Sequence, residues 1–366
     1  MNKAVPNRIT VVLADDSSFV RKVFARVLGQ EADIEVVGEA SDGAQAFELC
    51  RRLTPDVMLL DLQMPVRDGL STLDALRHLR CPTRVVVVSA STQRGAEVTL
   101  NALEKGAFDF IDKAARSTMQ LHELGSELLE KVRGAGLRRG GAPVDKASPA
   151  LDPRAVAPEV LVVGASTGGP LALAALLAGL PADFDVPVVI VQHIPASYVP
   201  PLASRLSRAA TRPAEPVRPG QKLESGRIYL AFGKHESELY RTEGSLAVVW
   251  RRADPGTPHV PSVDSLFHSA ARVCGPRAWG ALLTGMGRDG AEGLLAIRKA
   301  GGFTVAQDEA TCAVWGMPKV ASDLGAAYAV LAIHALGPFL GEQHRSVVQP
   351  GSEVRPIRKE APCAQR

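Results

Sequence analysis

Short, almost uninterrupted apolar segments alternate with helical segments along most of the chain, and this alternation restricts the fold more than any other feature. Five such segments occur in the first third of the chain, at residues 8–14, 34–38, 56–62, 84–90 and 109–113. Strands without polar alternation are typical of parallel sheets that helices cover on both faces. We therefore predict one doubly wound α/β domain over residues 1–133, with any ligand at the carboxyl ends of the strands.

A segment of different character follows at residues 134–158, with four glycines, four prolines and little apolar periodicity. This composition favours an exposed linker over a loop within one domain, because structureless loops above ~12–15 residues are uncommon in compact folds. Apolar segments then resume at residues 159–165, 186–192, 227–231, 246–250, 278–284 and 302–306. They predict a second doubly wound α/β domain over residues 159–345, and the proline- and charge-rich tail at 346–366 is expected to fray.

Composition excludes several classes of function. The net charge is only +3, from 42 basic and 39 acidic residues, so no nucleic-acid partner is expected. Five widely spaced cysteines without metal-ligand spacing predict neither a disulfide framework nor structural zinc. Residues 160–182 carry no charge, but the segment Gly164–Pro170 would break a membrane helix. Since residues 1–10 also lack the apolar core of a secretory signal, we expect a cytoplasmic protein without membrane insertion.

Polar side chains cluster at the predicted strand ends of the first domain. Asp15 and Asp16 follow strand one, Asp61 lies near the end of strand three, Ser89 ends strand four and Lys113 ends strand five. Converging carboxylates repel one another unless a cation lies among them, and Mg²⁺ prefers oxygen ligands. The set is suited to accept a phosphoryl group, with Asp61 as the nucleophile. The alternative, five solvated loop residues, does not explain why all five occupy strand ends.

Four motifs carry a family resemblance: Leu13–Ser17, Leu60–Pro65 with Asp68-Gly69, Val88–Ala90 and Phe110–Lys113. Together they resemble a response-regulator receiver domain, which implies a flavodoxin-like fold. The resemblance further implies that Asp61 takes phosphate from a chemotaxis sensor histidine kinase and that Mg²⁺ binds at Asp15, Asp16 and Asp61. It assigns switch roles to Ser89, Phe110 and Lys113. The family usually has a proline after this lysine, whereas Ala114 stands here.

The first strand of the second domain leads into a turn of small residues, Gly164–Gly169, that contains Ser166. Such a turn places a hydroxyl near the N-terminus of the next helix, where an oxyanion is stabilised. From this segment alone, a nucleophilic serine and a phosphate-binding turn remain open. The pattern G-x-S-x-G also matches the nucleophile elbow of α/β-hydrolases, which would require a late histidine. Neither candidate fits well, because His334 lies in an apolar run and is expected in the core, whereas His344 begins the tail.

His193 is a better base, because it ends the next predicted strand at the same edge as Ser166. Asp289 lies in a glycine-rich turn after another apolar strand and is the candidate third member of a catalytic triad. Three further candidates have ordinary interpretations. Asp264 resembles a first-turn helix charge, and His259 and His268 flank the same segment without a predicted role.

A second resemblance is specific to this domain, and its motifs are Gly164–Pro170, Gln192–Pro195, Pro261–Asp264, Leu283–Gly290, Ala306–Cys312 and Trp315–Pro318. They resemble chemotaxis protein-glutamate methylesterases. The resemblance implies Ser166 as nucleophile, His193 as base and Asp289 as the third member, with Thr167 and the N–H of Met286 stabilising the oxyanion. Relatives usually read Ala-Pro-Gly-Gly-x-His where this chain has Ala231–His235.

The same resemblance implies an activity. The substrates would be glutamate methyl esters, and glutamines, on the signalling helices of chemoreceptors, and methanol would be the product of ester cleavage. Ester hydrolysis would need no cofactor, and Mg²⁺ would belong to the receiver domain alone. In the family the unphosphorylated receiver covers the esterase cleft. Two alternatives stay open: an output domain that only binds a receptor or scaffold, and a hydrolase of some other ester.

Overall fold

A computed structural model describes residues 8–89, 92–113, 118–136, 149–254, 256 and 259–348. Within these residues the chain forms two α/β domains, each built on its own parallel sheet, and a separate β-hairpin. Ala114 lies outside the described residues, as do residues 349–366 of the predicted tail. No helix in the described part of the chain is long and apolar enough to cross a bilayer.

The N-terminal domain has five parallel strands in the order β2-β1-β3-β4-β5. The strands are β1 (Ile9–Ala14), β2 (Ile34–Ala40), β3 (Val57–Asp61), β4 (Arg84–Ser89) and β5 (Asp109–Asp112), and the helices are α1 (Ser18–Leu28), α2 (Gly43–Leu53), α3 (Gly69–His78), α4 (Gln93–Glu104) and α5 (Thr118–Gly136). This is the doubly wound topology that the sequence predicts, and the strands are buried between two layers of helices. The last helix, α5, continues three residues beyond the predicted boundary at 133.

The C-terminal domain has seven parallel strands in the order β14-β13-β12-β6-β7-β9-β8. They are β6 (Val160–Ala165), β7 (Val188–Gln192), β8 (Ala214–Pro216), β9 (Ile228–Ala231), β12 (Ala278–Leu282), β13 (Phe303–Gln307) and β14 (Ala329–Leu331). The helices are α6 (Gly169–Ala178), α7 (Val199–Ala210), α8 (Val263–Cys274), α9 (Ala291–Lys299), α10 (Met317–Asp323) and α11 (Ile333–Val348). The chain order reverses on either side of β6, which places a switch point at the carboxyl ends of the neighbouring strands β6, β7 and β12.

The antiparallel pair β10 (His235–Thr242) and β11 (Ser245–Arg252) forms the separate hairpin and packs against α8. The apolar segment at 246–250, predicted as one more strand of the second domain, belongs to this hairpin rather than to the central sheet. The uncharged segment at 160–182 folds as β6, a turn and the mostly buried helix α6, in agreement with the prediction of a buried strand, turn and helix.

Two histidines differ from their predictions. His334, expected in the core, is exposed near the start of α11, because the buried face of this helix is formed by Leu336, Phe339 and Leu340 and position 334 lies off that face. His344, expected to begin the tail, is 6% exposed inside α11, where its ring packs against Phe184 and Trp279. His334 follows the edge strand β14, three strands away from β6, and His344 lies well inside α11. No hydrogen bond joins either histidine to Ser166 in the described part of the chain, so the alternative with a late histidine has no structural support.

Candidate active site

Three adjacent strands of the C-terminal sheet bring the candidate catalytic residues together. Strands β6 and β7 pair in parallel with Ala165 opposite Gln192, so Ser166 and His193 leave the sheet side by side. The N–H of His193 donates to the carbonyl of Ala165 at 3.1 Å. Strand β12 lies on the other side of β6, and the turn that follows it contains Asp289. The side chains of His193 and Asp289 are mostly buried, and Ser166 is partly accessible.

His193 and Asp289 are joined by a hydrogen bond of 2.9 Å between Nε2 and Oδ2. Three donors from the N-terminus of α8 hold the same carboxylate: the N–H groups of Val263 and Asp264, at 2.8 and 2.9 Å, and the hydroxyl of Ser262, at 2.8 Å. Burial alone would raise the pKa of Asp289, but the hydrogen bond and charge of His193 and these backbone N–H groups hold it well below its usual range. Asp289 is therefore an ionised carboxylate with all four lone-pair positions occupied.

This arrangement determines the tautomer of the imidazole. An ionised carboxylate only accepts hydrogen bonds, so Nε2 of His193 carries the hydrogen and Nδ1 keeps its lone pair in the neutral ring. Nδ1 is buried and has no hydrogen-bond partner among the described residues. The ring of His259 stacks on that of His193 with centroids 4.4 Å apart. Burial lowers the pKa of His259, and the neighbouring charge of His193 lowers it further.

Small residues surround Ser166 because larger ones would collide with it. A Cβ at Gly285 would lie 2.2 Å from Sδ of Met317 and 2.8 Å from Cβ of Ser166.

The side chain of Gln192 links the ends of β6 and β7. Its amide donates to the carbonyl of Ser166 at 2.9 Å and to that of His193 at 3.1 Å. Thr167, next to Ser166, is 5% exposed, and Met286 follows Gly285 in the turn after β12.

The comparisons with known proteins identify the family of each domain. Two family models match: the response regulator receiver domain over residues 11–124 and CheB methylesterase over residues 161–340. A protein-glutamate methylesterase/protein-glutamine glutaminase of Bordetella avium is 40% identical over 336 residues, which are 90% of this chain and 95% of the relative. A relative with the same printed activities from Rhizobium johnstonii is 42% identical over 340 residues, 91% of this chain and 95% of its own. This chain belongs to the CheB methylesterase family.

A solved structure of one member, the catalytic domain of Thermotoga maritima CheB, is 32% identical, with a TM-score of 0.49, and covers 51% of this chain and 99% of its own. Membership confirms the two resemblances predicted from sequence, a receiver domain followed by a methylesterase domain.

In the receiver domain, the predicted residues also meet at one edge of the sheet. Carboxylate oxygens of Asp15, Asp16 and Asp61 lie within 4.8 Å of one another. The ammonium of Lys113 is 2.7 Å from Asp61 and 3.3 Å from Asp15. Burial raises the pKa of Asp61, and the nearby Asp15 adds to this effect, whereas Lys113 opposes it. Ser89 is 4% exposed at the end of β4.

Elements α4, β5 and α5 of the receiver lie against the catalytic domain beside the segments that follow β6 and β7. Tyr198, five residues after His193, is fully buried, and its ring stacks on that of Phe110 in β5 with centroids 4.5 Å apart. Its hydroxyl lies near those of Ser89 and Thr99, and burial raises the pKa of Tyr198. Tyr198 of the catalytic domain thus contacts both Phe110 and Ser89, to which the resemblance assigned switch roles.

A polar contact joins α7 of the catalytic domain to α4 of the receiver. The guanidinium of Arg205 in α7 donates to Oδ1 of Asn101 at 2.8 Å and to the carbonyl of Glu97 at 3.1 Å, and it pairs with Glu104.

Two acidic residues of the receiver lie near the site itself. The buried Asp109 lies against Thr167, and Glu130 of α5 is close enough to His193 for their charges to interact. These contacts join the two domains beside the strand ends that carry Ser166 and His193, and coverage of the cleft by the receiver stays a prediction.

Three residues of this site were not assigned a role from sequence: Ser262, His259 and Tyr198. Ser262 alone had a usable signal, since a serine before an apolar helix is a typical N-cap, and its hydroxyl accepts from the N–H of Ser265. Asp264 does lie in the first turn of α8, as predicted, and its carboxylate accepts from the N–H of Gly293 at 2.7 Å. His268 is exposed on α8, one turn from Asp264, and its charge opposes the raised pKa of that carboxyl group.

Proposed function

We propose that this protein hydrolyses γ-methyl esters of glutamate side chains on chemoreceptor signalling helices and deamidates glutamines there, with Ser166, His193 and Asp289 as the catalytic triad. The relatives are named for both activities. The observation that carries the residue assignment is the hydrogen bond from Nε2 of His193 to a fully hydrogen-bonded Asp289, on the strand end next to Ser166. That bond leaves Nδ1 as the basic nitrogen.

In the first half-reaction, Oγ of Ser166 attacks the ester carbonyl while Nδ1 of His193 takes its proton. The C–O bond to the methoxy group then breaks, and the leaving oxygen recovers that proton from His193, so that methanol departs and an acyl-enzyme remains. Thr167 and the N–H of Met286 are the proposed donors to the tetrahedral oxyanion. Asp289 stabilises the imidazolium formed between these steps.

Water completes the cycle by the same route. His193 takes a proton from water as its oxygen attacks the acyl carbon, and the proton passes to Oγ of Ser166 as the acyl bond breaks. The products are the free serine and a glutamic acid side chain, which ionises to the carboxylate by releasing its proton to water. For a glutamine substrate the leaving group is ammonia instead of methanol, and the protein group formed is again glutamate.

The receiver regulates this chemistry in our proposal. A histidine kinase of the chemotaxis pathway donates a phosphoryl group to Asp61: the P–N bond of its phosphohistidine breaks and a P–O bond to the carboxylate forms. The donor set at Asp15, Asp16 and Asp61 fits Mg²⁺, because it offers only oxygen ligands and leaves mutual repulsion that a cation relieves. When bound, Mg²⁺ would neutralise charge on the phosphoryl oxygens. Phosphorylation would then favour a form in which the receiver no longer covers Ser166.

The test is methanol release from receptor-containing membranes labelled on the methyl ester. We expect release by the wild-type chain, faster with a small-molecule phosphodonor, and a loss of more than about 10³-fold in Ser166→Ala, which removes the nucleophile but not the phosphorylation site. Asp61→Asn should keep the low basal rate and lose the response to the phosphodonor.

The two alternatives predict different outcomes. A domain that only binds receptors would release no methanol from any substrate, and Ser166→Ala would match the wild type. A hydrolase of another ester would leave the labelled receptor unchanged but cleave small esters in a Ser166-dependent way. Either result would reject the proposed substrate class.

A further inference from the structure

Glu236 is a buried carboxyl group close to, but outside, the proposed triad. It lies on β10 of the hairpin and is 5% exposed. Its Oε2 accepts a hydrogen bond from the N–H of Ser262 at 2.8 Å. Burial raises the pKa of Glu236, and the neighbouring charges of Asp289 and Glu238 also act in that direction. Buried acidic groups are rare unless they are paired or have a role, so this one needs an explanation.

Ser262 connects Glu236 to the active site. Its hydroxyl donates to Oδ1 of Asp289 at 2.8 Å, and the next two residues, Val263 and Asp264, donate their backbone N–H groups to the same carboxylate. A continuous chain of hydrogen bonds therefore runs from Glu236 through Ser262 and Asp289 to Nε2 of His193.

The three donors on Asp289 cannot move independently, because they belong to consecutive residues at one helix N-terminus. A shift of the Ser262 backbone would displace all three relative to Asp289, and the bond from His193 would have to adjust. The contact of Glu236 with the Ser262 N–H holds that helix end against the hairpin. A second hydrogen bond joins the same two elements: the N–H of Leu239 donates to the hydroxyl of Ser269 at 2.9 Å. This bond lies further along α8, so Glu236 makes the hydrogen bond between the hairpin and the start of the helix.

We infer that Glu236 is a positioning residue for ester hydrolysis: its acceptor oxygen fixes the N-terminus of α8, and through it the Asp289–His193 pair. The inference rests on the proposed function for its kinetic readout. It requires an acceptor at this position and not a negative charge, since the partner is a neutral N–H group.

The test compares three variants of the full chain. Glu236→Met keeps an unbranched side chain of similar length but removes the acceptor, Glu236→Gln keeps an acceptor oxygen, and Glu238→Met is the matched control. Glu238 lies on the same strand, and its carboxylate pairs outside the site with Arg251 and Arg272. The readouts are kcat and KM for methanol release, and the NMR signal of the Nε2 hydrogen of His193 in protein labelled with ¹⁵N-histidine.

We expect Glu236→Met to lower kcat about tenfold with little change in KM, and to broaden or abolish the Nε2 hydrogen signal. Glu236→Gln and Glu238→Met should keep both close to wild type. A sharp signal and wild-type kcat in Glu236→Met would overturn the inference, even if its thermal stability fell. A loss in Glu236→Gln equal to that in Glu236→Met would also overturn it.

Two outcomes would require a further measurement: an inactive wild-type chain, and a Glu236→Met variant that does not fold. If the wild-type chain released no methanol, the proposed function would fail, but the NMR comparison would still decide whether Glu236 holds the Asp289–His193 pair. If Glu236→Met did not fold, Glu236→Asp would test the same contact, because it shortens the side chain by one methylene and moves the acceptor away from the N–H of Ser262. A sharp Nε2 hydrogen signal and wild-type kcat in a folded Glu236→Asp would then overturn the inference.

Discussion

The two domains carry their polar sites at the same place, the carboxyl ends of parallel strands, but they treat charge differently. In the receiver, Asp15 and Asp61 are almost fully buried beside each other, and Lys113 is the cation that contacts both. In the catalytic domain, Asp289 has four donors, three of them supplied by one helix N-terminus. The receiver site retains repulsion between neighbouring carboxylates, which a bound cation and a phosphoryl group would change. The carboxylate of Asp289, in contrast, has a donor at every lone-pair position without any added group.

The difference explains how the domains can be coupled. The receiver site, with its unbalanced carboxylate charge, would respond to a bound cation or a phosphoryl group. The Asp289–His193 pair already has its hydrogen bonds, so phosphorylation does not need to rearrange it. In our proposal, phosphorylation then controls the access of the substrate to Ser166. Tyr198 provides the link, because its ring belongs to the catalytic domain and packs against Phe110 and near Ser89 of the receiver.

The largest expected effect tests the completeness of the catalytic site. In Asp289→Asn, the amide cannot act as an ionised acceptor for the Nε2 hydrogen, and the imidazole loses its orientation and tautomer. We expect kcat for methanol release to fall by about 10³–10⁴-fold, with phosphorylation of Asp61 unchanged. A loss of less than tenfold in a correctly folded variant would show that Asp289 is not a member of the triad.

An intermediate effect is expected at the junction between the sites. Tyr198→Ala removes the ring that stacks on Phe110 and so weakens the covered form. Loss of a buried aromatic contact of about 1–2 kcal/mol should raise the unphosphorylated rate about tenfold and leave the phosphorylated rate nearly unchanged. The control, Tyr240→Ala, changes a tyrosine on β10, in the hairpin of the catalytic domain. Equal rates in Tyr198→Ala and wild type, with and without phosphodonor, would contradict this role.

The smallest expected effect concerns stability and pH. The pKa of Glu236 is raised in the folded chain, so the folded state binds its proton more tightly than the unfolded state does. Stability therefore falls as pH rises from the unfolded value, about 4.3, through the folded value. Glu236→Gln removes this loss, so the free energy of unfolding of the variant relative to wild type should increase over that range. Urea unfolding of both proteins at several pH values measures it; a constant difference would reject the raised pKa.

Much of the fold was predictable, because apolar alternation is a local property of the chain. The predicted strands at 8–14 and 159–165 correspond to β1 and β6, and the same holds for the other members of the two parallel sheets that were predicted. The predictions failed where a local pattern has two solutions. Residues 246–250 form a strand as expected, but only packing against α8 places that strand in a hairpin outside the sheet.

Candidate residues at strand ends were predictable for the same reason. Ser166 and His193 each follow an apolar strand, and their order along the chain makes them neighbours as soon as β6 and β7 pair. The partners of Asp289 were not predictable, since no spacing in the sequence indicates that the first turn of α8 lies over the turn after β12. Glu236 is more remote still, because its contact depends on how the hairpin docks on that helix.

The sequence by itself determined the two α/β domains, their parallel strands and the polar residues at the strand ends, because hydrophobic period and turn residues act over a few positions. Tertiary structure alone decided which groups hold Asp289, and it placed the ring of Tyr198 against Phe110 over the catalytic edge. Those contacts join segments tens of residues apart or more, and they form only when whole elements bury their apolar faces against one another.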